Sequence, residues 1–432
     1  MARIFLLHYS SPPVVGGVEN VLARQAELMA RAGHEVTVLT GRGERWDPRI
    51  NVHYVPELDS RDRRVLEIKR ELDLGNVPLD FHALTAELLE VLRNELADAD
   101  WVIAHNVASL HKNLALTAAL QRFAVPVGGQ RFAIPVGGQR FAGDPGATGV
   151  ILWHHDFAWN SRRYAGELHP GYPWDLLRTP WPGAQNVTIS EARQEEMSRL
   201  YGLPADQIKV VPNGVDPAEF NHLEPATREL VEKLALNKAN PLMITPVRVT
   251  SRKNLELGLR ILAELVQVLP DARWVITGPL GAHNPENKTY FDQLISLRRD
   301  LGLERQAIFL AEDFPNGLSD AQIADFYRIS DVLLITSQEE GFGLPIIEGG
   351  LARLIIFASD LPSLRALGGV WVTYFRLQDP PGEIAARIAQ RLSEDPVYRL
   401  REHVRANYTW EAIYQHHIAP MLVVRTQTEV KR

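Results

Sequence analysis

Short apolar runs alternate along this chain with longer segments in which apolar residues recur every three or four positions. Runs of four to eight apolar residues bounded by turn signals are typical of buried strands, and the longer segments are typical of amphipathic helices. The predicted strands lie near residues 4–8, 36–39, 101–104, 150–153, 242–247, 274–277, 307–310, 331–336 and 354–358. Strands that alternate with helices in this way predict an α/β protein with parallel sheets.

The first predicted strand leads into a glycine turn and then a helix. Gly16 and Gly17 open that helix, and Gly33 ends it before the next strand. One stripe of this helix carries Val18, Val21, Leu22, Gln25, Leu28 and Met29. Ligands of parallel sheets bind at the carboxyl ends of the strands, so we expect the glycine pair to point into a cleft. The alternative is a tight turn with no ligand.

A second glycine turn follows the strand predicted at 331–336. Gly341 and Gly343 leave the backbone open to a ligand, and Pro345 suits the first position of a helix whose free N–H groups bind phosphate or sugar oxygens. Glu340 and Glu348 flank this turn, and carboxylates accept hydrogen bonds from the vicinal hydroxyls of a ribose or hexose. The combination predicts a nucleotide-sugar site. Taken alone, the two Glu residues are more typical of a solvated helix face.

Basic residues follow the strand predicted at 242–247. Arg248 and Lys253 lie where that strand ends, and cations in this position can neutralise a diphosphate. The alternative for both is ordinary surface charge, which is the interpretation given to Arg252. Asn254 is expected to cap the helix predicted at 255–269.

The composition narrows the class of protein. A chain of 432 residues is too long for one ordinary core and suits two domains of about 200 residues each. Its net charge of -7 argues against a nucleic-acid partner, and the absence of cysteine excludes disulfides and thiol chemistry. No apolar run approaches the ~20 residues that span a bilayer, and the first run is too short for a signal peptide. We therefore expect a cytoplasmic protein without a transmembrane segment.

Two segments do not fit the strand and helix pattern. Residues 121–129 are repeated almost unchanged at 130–138, and a third copy begins at 139–142. A short repeat confined to one place does not indicate a solenoid, so we expect 121–143 to be an inserted peripheral loop. The segment 160–182, rich in Arg, Trp, Tyr, His and Pro, could line an acceptor pocket or pack over the edge of its domain.

The Glu340 and Glu348 pair, with Gly-Phe-Gly-Leu-Pro between them, closely resembles the E-x7-E signature of retaining glycosyltransferases of the GT-B fold, specifically glycosyltransferase family 4. The resemblance extends, in the expected order, to Gly16-Gly17-Val18-Glu19 and Val211-Pro-Asn-Gly-Val-Asp216. It implies two Rossmann-like domains facing across a cleft. The expected divisions are an acceptor-binding domain at 1–205, a nucleotide-sugar-binding domain at 206–408, and a last helix at 409–432 that crosses back to the first domain.

The resemblance also implies a role for one histidine. Adjacent residues on an extended strand point to opposite faces, so at most one of His154 and His155 should face the cleft, and a two-histidine metal site is not expected. The strand predicted at 150–153 is followed by His154, His155 and Asp156. The family has a His-Asp pair after this strand, which favours His155 as the active-site residue, with His154 as the weaker alternative. His105, alone at another strand end, is interpreted as structural.

The roles implied by the family are therefore specific. Glu340 approaches the donor sugar, Glu348 holds the ribose, and Arg248 and Lys253 hold the donor phosphates. The predicted catalytic residues are His155, Arg248, Lys253 and Glu340, and the predicted donor-binding residues are Gly16, Gly17, Gly278, Gly341, Phe342, Gly343, Leu344 and Glu348. No metal and no cofactor is expected. The expected partners are a nucleotide-sugar donor and a hydroxyl acceptor of unknown identity.

The implied activity is transfer of a hexose from a nucleotide-diphosphate sugar to a hydroxyl group with retention of configuration. A nicotinamide oxidoreductase would also contain Rossmann sheets, but no G-x-G-x-x-G follows a predicted strand, and no P-loop motif is present. A glycoside phosphorylase of the same fold and a non-catalytic binding relative remain alternatives.

Overall fold

The computed structural model describes residues 1–125, 140–142, 148–280, 286–422 and 424–426. The chain divides into two compact units, Met1–Val215 with Tyr408–Arg432, and Asp216–Asn407. The division falls later than the boundary expected after residue 205, because Ile208–Val210 forms a strand that pairs with the preceding strand of the first unit.

The first unit is built around a parallel sheet. Its strands in chain order are β1 Arg3–His8, β2 Glu35–Thr40, β3 Ile50–Tyr54, β4 Trp101–His105, β5 Arg140–Ala142, β6 Gly149–His154, β7 Ala184–Thr188 and β8 Ile208–Val210. Its helices are α1 Gly17–Arg31, α2 Arg63–Asp73, α3 Leu79–Glu95, α4 Leu114–Ala124 and α5 Glu191–Tyr201. Seven of the strands form one sheet in the order β3-β2-β1-β4-β6-β7-β8, and all of its pairs are parallel.

The strand order reverses between β1 and β4, so the first sheet has its topological switch point there. Apolar side chains cover both faces of the sheet, as parallel strands require. The segment 160–182 contributes to one of these cores, since Trp174 and Trp181 are buried beside Leu177. These aromatic side chains therefore pack against the domain.

The end of the chain also packs in the first unit. Trp410, Ile413 and Ile418 are buried in the same core as β1 and β4 residues. The single last helix expected at 409–432 is wrong in the described part of the chain. Instead α15 Trp410–Ile413 is followed by a π-helix at Tyr414–Ile418 and a 3-10 helix at Ala419–Met421. Strand β15, Val424–Thr426, then pairs with β5.

The second unit contains the remaining elements. Its strands are β9 Leu242–Thr245, β10 Arg273–Ile276, β11 Ala307–Phe309, β12 Val332–Ile335, β13 Ile355–Ser359 and β14 Thr373–Phe375. Its helices are α6 Pro217–Phe220, α7 Pro225–Lys233, α8 Leu255–Val268, α9 Glu286–Asp300, α10 Asp320–Ile329, α11 Leu344–Leu351, α12 Pro362–Gly368, α13 Pro381–Glu394 and α14 Pro396–Asn407.

The second sheet is also parallel, in the order β11-β10-β9-β12-β13-β14. Numbered from its own first strand, this order is 3-2-1-4-5-6, which is that of a dinucleotide-binding Rossmann sheet. Two apolar cores cover its faces. The prediction of two Rossmann-like domains is confirmed by these two sheets.

Most of the repeat expected to form a peripheral loop at 121–143 lies outside the described residues. Its first four residues, 121–124, end helix α4, and 140–142 form β5. In the described part of the chain, no helix combines the length and hydropathy needed to cross a bilayer.

Candidate active site

The site residues of the second unit lie on two loops that leave neighbouring strands. Strand β9 pairs with β12, and the strand order reverses between them. The loop after β9 carries Arg248 and Lys253, and the loop after β12 carries Glu340 and the glycine turn. Ligands of open α/β sheets bind outside the carboxyl ends of the strands at this point. The sheet therefore brings together residues that are far apart in the sequence.

Lys253 and Glu340 are in direct contact. The Lys253 Nζ atom lies 2.5 Å from Glu340 Oε1, and both side chains are 9% exposed. The hydroxyl of Ser337 donates to the same carboxylate oxygen at 2.8 Å. Among the described residues nothing donates to Oε2 of Glu340. One oxygen of this carboxylate is thus held by the protein, and the other is left for a ligand.

Further hydrogen bonds join the two loops. The Thr336 hydroxyl donates to the carbonyl oxygen of Lys253 at 2.9 Å, and the Gln338 amide donates to that of Arg252 at 2.8 Å. The Ser363 hydroxyl donates to the carbonyl oxygen of Glu340 at 2.7 Å. The contact between Lys253 and Glu340 is therefore fixed by the backbone on both sides.

The expected cap at the start of α8 is wrong in its mechanism. Asn254 occupies the N-cap position but has a left-handed backbone, with φ of 49°, and its side chain accepts no cap hydrogen bond. Instead the amide of Leu255 donates to the hydroxyl of Tyr290 at 3.0 Å. Asn254 follows the single 3-10 turn Ser251–Lys253, and its left-handed backbone directs the chain into α8.

Arg248 is exposed, and no described residue pairs with its guanidinium. Its backbone is positioned by Gly278, which is buried against the same loop. A Cβ atom on Gly278 would lie 2.0 Å from the carbonyl oxygen of Val247 and 2.7 Å from the Arg248 nitrogen. Gly278 therefore allows the loops after β9 and β10 to approach closely. The family's nucleotide contact at this glycine stays a prediction.

The glycine turn ends at α11. Gly343 has φ of 102° and would place a Cβ 2.6 Å from Leu364, so both its backbone and its surroundings favour glycine. Gly341 faces open space, and the side chains of Phe342 and Leu344 are more than half exposed. The helix begins at Leu344, so Pro345 takes its second position and not the expected first one. The first amides of α11 lack partners within the helix.

Glu348 lies one turn into α11 and is exposed. The hydroxyl of Tyr327, on α10, donates to its Oε2 atom at 2.5 Å. Burial, followed by this contact, raises the pKa of Tyr327 far above its usual value, so the hydroxyl stays protonated. Sequence reasoning missed Tyr327, because nothing local to α10 marks it.

In the first unit, His154 and His155 contact different groups. His154 is buried, with Nε2 3.1 Å from Asn186 Oδ1 and its ring stacked on Phe157. His155 follows the end of β6, and its Nε2 atom lies 3.1 Å from Nδ1 of His105. Burial lowers the pKa of His154 to about 4 and that of His155 to about 3. Both rings are therefore neutral near pH 7.

His155 belongs to a group of histidines at the switch point of the first sheet. His105 ends β4, and its burial lowers its pKa well below the usual value. His8 ends β1, and its Nδ1 atom donates to the His105 carbonyl oxygen at 2.8 Å. The Nε2 atom of His8 is 3.8 Å from Glu19 Oε1 in the first turn of α1. Sequence reasoning missed His8, although its place at a strand end is the same signal that marked His105.

The glycine pair of the first unit opens α1. Gly16 is the N-cap, with an extended backbone, and Gly17 is the first helical residue and is exposed. A Cβ on Gly16 would meet the Glu19 carboxylate at 2.1 Å, while Gly17 has open space around it. Ser10 donates to Glu19 Oε1 at 2.7 Å, which holds that carboxylate beside the turn. Contact of these glycines with a nucleotide-sugar donor stays a prediction.

Among the described residues, one group has the side chains of a metal site: Asp73, His111 and Glu167. The ammonium of Lys69 lies 2.6 Å from Asp73 and 2.9 Å from Glu167, and so supplies a cation to these carboxylates. His111 Nε2 is 2.6 Å from Glu167. The three side chains therefore form an ion-pair network with Lys69, whose ammonium is the cation that balances the two carboxylates.

Curated relatives of the chain are glycosyltransferases and a related synthase. Mannosylglucosylglycerate synthase of Petrotoga mobilis is 24% identical over 385 residues, which are 83% of this chain and 83% of the relative. An uncharacterised glycosyltransferase of Methanocaldococcus jannaschii is 24% identical over 263 residues, 58% of this chain and 62% of the relative. A D-inositol 3-phosphate glycosyltransferase of Rhodococcus erythropolis is 28% identical over 235 residues, 52% and 50% of the two chains. Across the first five relatives, the matches span only 37% to 62% of the relative's length.

Solved structures match over nearly the whole chain at low similarity. A glycosyltransferase of Rickettsia africae gives a TM-score of 0.35 with 14% identity, covering 97% of both chains. The Anabaena protein HepE, in complex with UDP and glucose, gives 0.34 with 17% identity, covering 98% of this chain and 99% of that one. Superpositions this weak support no conclusion about activity.

The family models match both units of the chain. The family described as Glycosyltransferase Family 4 matches residues 15–219, and the one described as Glycosyl transferases group 1 matches residues 226–409. Between them they take in the glycine pair of the first unit and both loops of the second. With two matches in the expected order over two Rossmann-like domains, this chain belongs to the group 1 glycosyltransferases of family 4.

Proposed function

We propose that this protein is a retaining glycosyltransferase that moves a hexose from a nucleotide-diphosphate sugar to a hydroxyl acceptor. The observation that carries the proposal is the contact of Lys253 with Glu340 at the switch point of the second sheet. A buried cation lies where such sheets bind nucleotides, beside a carboxylate with one oxygen to which no described residue donates. The two groups match the two ends of the bond that breaks, between the diphosphate and the sugar.

The cations act on the leaving group. Arg248 is exposed and unpaired among the described residues, so its guanidinium is available to a diphosphate. Lys253 supplies a second positive charge, and the backbone amides at 341–344, which lead into α11, supply hydrogen bonds. Negative charge grows on the diphosphate as the bond to the sugar breaks, so donors placed here lower the barrier.

The carboxylates act on the hydroxyl groups of the donor. Glu340 presents Oε2 to the sugar, while Glu348 presents Oε1 to the ribose. In the first unit, His155 is the candidate for the acceptor side. Burial lowers its pKa to about 3, so near pH 7 it acts as a neutral hydrogen-bonding group.

Retention follows from attack on the face that the diphosphate leaves. The acceptor oxygen forms the new bond to the anomeric carbon as the bond to the diphosphate oxygen breaks, and the acceptor proton passes to that departing oxygen. Among the described residues of the site, no isolated carboxylate presents itself as the nucleophile of a double displacement, since Lys253 and Ser337 both donate to the carboxylate of Glu340. We expect the transfer to require neither a metal nor a cofactor.

The first experiment is a thermal-shift screen of UDP-, GDP- and ADP-sugars, since selective binding raises the melting temperature by mass action. The stabilising donor is then incubated with hydroxyl acceptors and the products are identified. A nucleoside diphosphate released together with a glycoside is expected. A sugar phosphate formed with inorganic phosphate would mark a phosphorylase, and binding without any turnover would mark a non-catalytic relative.

A further inference from the structure

We infer that Tyr327 is a positioning residue that gives the donor site its preference for an intact ribose, by holding Glu348. The inference rests on the proposed function. The Tyr327 hydroxyl lies 2.5 Å from Oε2 of Glu348. A phenol has one proton to donate and an ionised carboxylate only accepts, so the direction of this hydrogen bond is fixed.

Glu348 has no other restraint in the described part of the chain. It is exposed on α11, a helix of 8 residues, and its carboxylate receives no second hydrogen bond from a described residue. An unrestrained Glu side chain samples several rotamers, and a ligand that binds it must supply the free energy of ordering it. The bond from Tyr327 orders the carboxylate before the ligand arrives.

The ring of Tyr327 is a rigid support for that bond. Tyr327 is 5% exposed and is buried in the same core as Leu333 of β12 and Ile346 of α11. Its hydroxyl points out of that core to the carboxylate. Burial keeps the pKa of Tyr327 far above neutrality, so the hydroxyl remains a donor at every working pH.

The hydrogen bond from Tyr327 also gives the two carboxylate oxygens of Glu348 different roles. Oε2 is taken by Tyr327, and Oε1 has no partner among the described residues. A single ordered oxygen with free lone pairs can accept from the vicinal 2′- and 3′-hydroxyls of a ribose. A nucleotide without these hydroxyls would gain nothing from the ordering. Loss of the Tyr327 hydroxyl should therefore weaken the binding of ribonucleotides selectively.

The test is calorimetric titration of Tyr327→Phe with whichever of UDP, GDP and ADP binds the wild type best, and with its 2′,3′-dideoxy analogue. We expect the ribonucleotide to bind about tenfold more weakly and the dideoxy analogue to change less than about twofold. In turnover, the donor KM should rise while kcat is retained. A double variant with Glu348→Gln should bind no worse than Glu348→Gln alone, because the two residues act as one unit.

The matched control is Tyr398→Phe. Tyr398 is also buried in the second unit, and its hydroxyl donates to Asn240 Oδ1 at 2.7 Å. The control therefore removes a buried tyrosine hydroxyl that does not contact Glu348. Unchanged ribonucleotide affinity in Tyr327→Phe, or an equal loss for the dideoxy analogue, would overturn the inference. If Glu348→Gln removes the preference for ribose and Tyr327→Phe does not, only this inference fails. If the wild type binds no nucleoside diphosphate, the proposed function fails with it.

Discussion

The ammonium of Lys253 lies 2.5 Å from Oε1 of Glu340, although 87 residues separate them in the sequence. The pair is formed by the loops of adjacent strands and is almost fully buried. The residues assigned to the donor phosphate and the donor sugar therefore constrain each other before any ligand binds. A change to one of them is expected to affect both functions.

Lys253→Ala should reduce kcat about a hundredfold to a thousandfold and raise the donor KM much less, because the cation acts on charge that develops in the transition state. Lys253→Arg should restore only part of the rate, since a planar fork replaces a compact ammonium. Steady-state kinetics with a saturating acceptor measure both effects. The variant also leaves Glu340 buried without its partner, which costs about 3–5 kcal/mol of stability, so rates are compared well below its melting temperature.

The control for that variant is Arg252→Ala. Arg252 is the neighbouring basic residue and is exposed, and its backbone carbonyl, not its side chain, accepts from Gln338. Its turnover should stay near the wild-type rate. Normal turnover of Lys253→Ala beside a defective Arg252→Ala would show that the phosphate role had been assigned to the wrong residue.

Glu348→Gln should weaken nucleoside diphosphate binding by about 1.5–3 kcal/mol, because a charge-assisted hydrogen bond to the ribose becomes a neutral one. Calorimetric titration measures the change directly. Unaltered affinity would remove Glu348 from the ribose site.

Ser337→Ala removes one of the two donors to Oε1 of Glu340 and should lower kcat about tenfold to a hundredfold, the effect of one lost hydrogen bond to a charged group. Nucleoside diphosphate affinity should hardly change, since Glu340 is assigned to the sugar. Ser393→Ala is the control, because that hydroxyl is exposed and, among the described residues, donates to Gln390 of its own helix. A loss of nucleotide affinity equal to the loss in kcat would show that Ser337 supports the loop in general.

Gly278→Ala should destabilise the second unit by about 1–3 kcal/mol, because its Cβ would lie 2.0 Å from the carbonyl oxygen of Val247 and one of the two loops must move. Gly350→Ala is the opposite case. Gly350 lies inside α11 with no atom near its Cβ position, so alanine should stabilise by about 0.5–1 kcal/mol. Urea unfolding curves distinguish the two signs, and a tolerated Gly278→Ala would contradict the close approach.

The buried histidines predict a loss of stability in acid. Burial lowers the pKa of His154 to about 4, below the usual 6.5, so between these values the unfolded chain binds a proton that the folded chain does not. The free energy of unfolding should therefore fall as the pH falls through this window, by about 1.4 kcal/mol per pH unit for each such histidine. His154→Gln should flatten the slope, whereas replacement of the exposed His82 by Gln should not. Equal slopes in both variants would refute the assignment.

Much of the fold could be predicted because its strands are compact apolar runs. The runs that gave β1, β4, β6, β9 and β12 are buried along their whole length apart from the first residue of β1, and that pattern is visible in the sequence. Strands β3 and β14 were missed, since both are short and partly exposed. The path after Trp410 was misjudged, because changes between helix types leave no mark on apolar spacing.

The site was predicted less completely than the fold. The glycine turn and the two Glu residues form a local pattern, and so they could be found. The contacts that hold them could not, because they form only in the folded unit. Helices α10 and α11 bring Tyr327 to Glu348, and the pairing of β9 with β12 brings Lys253 to Glu340. The Asn254 cap failed because a nearby tyrosine hydroxyl satisfies the first amide of α8 instead.

The most direct test is the identity of the products formed from the nucleotide-sugar that stabilises the protein best. We expect one nucleoside diphosphate for each glycoside formed, with the anomeric configuration of the donor preserved in the product, and turnover about a hundredfold lower in Lys253→Ala. A sugar phosphate in place of the nucleoside diphosphate, an inverted anomer, or undiminished turnover in Lys253→Ala would contradict these expectations.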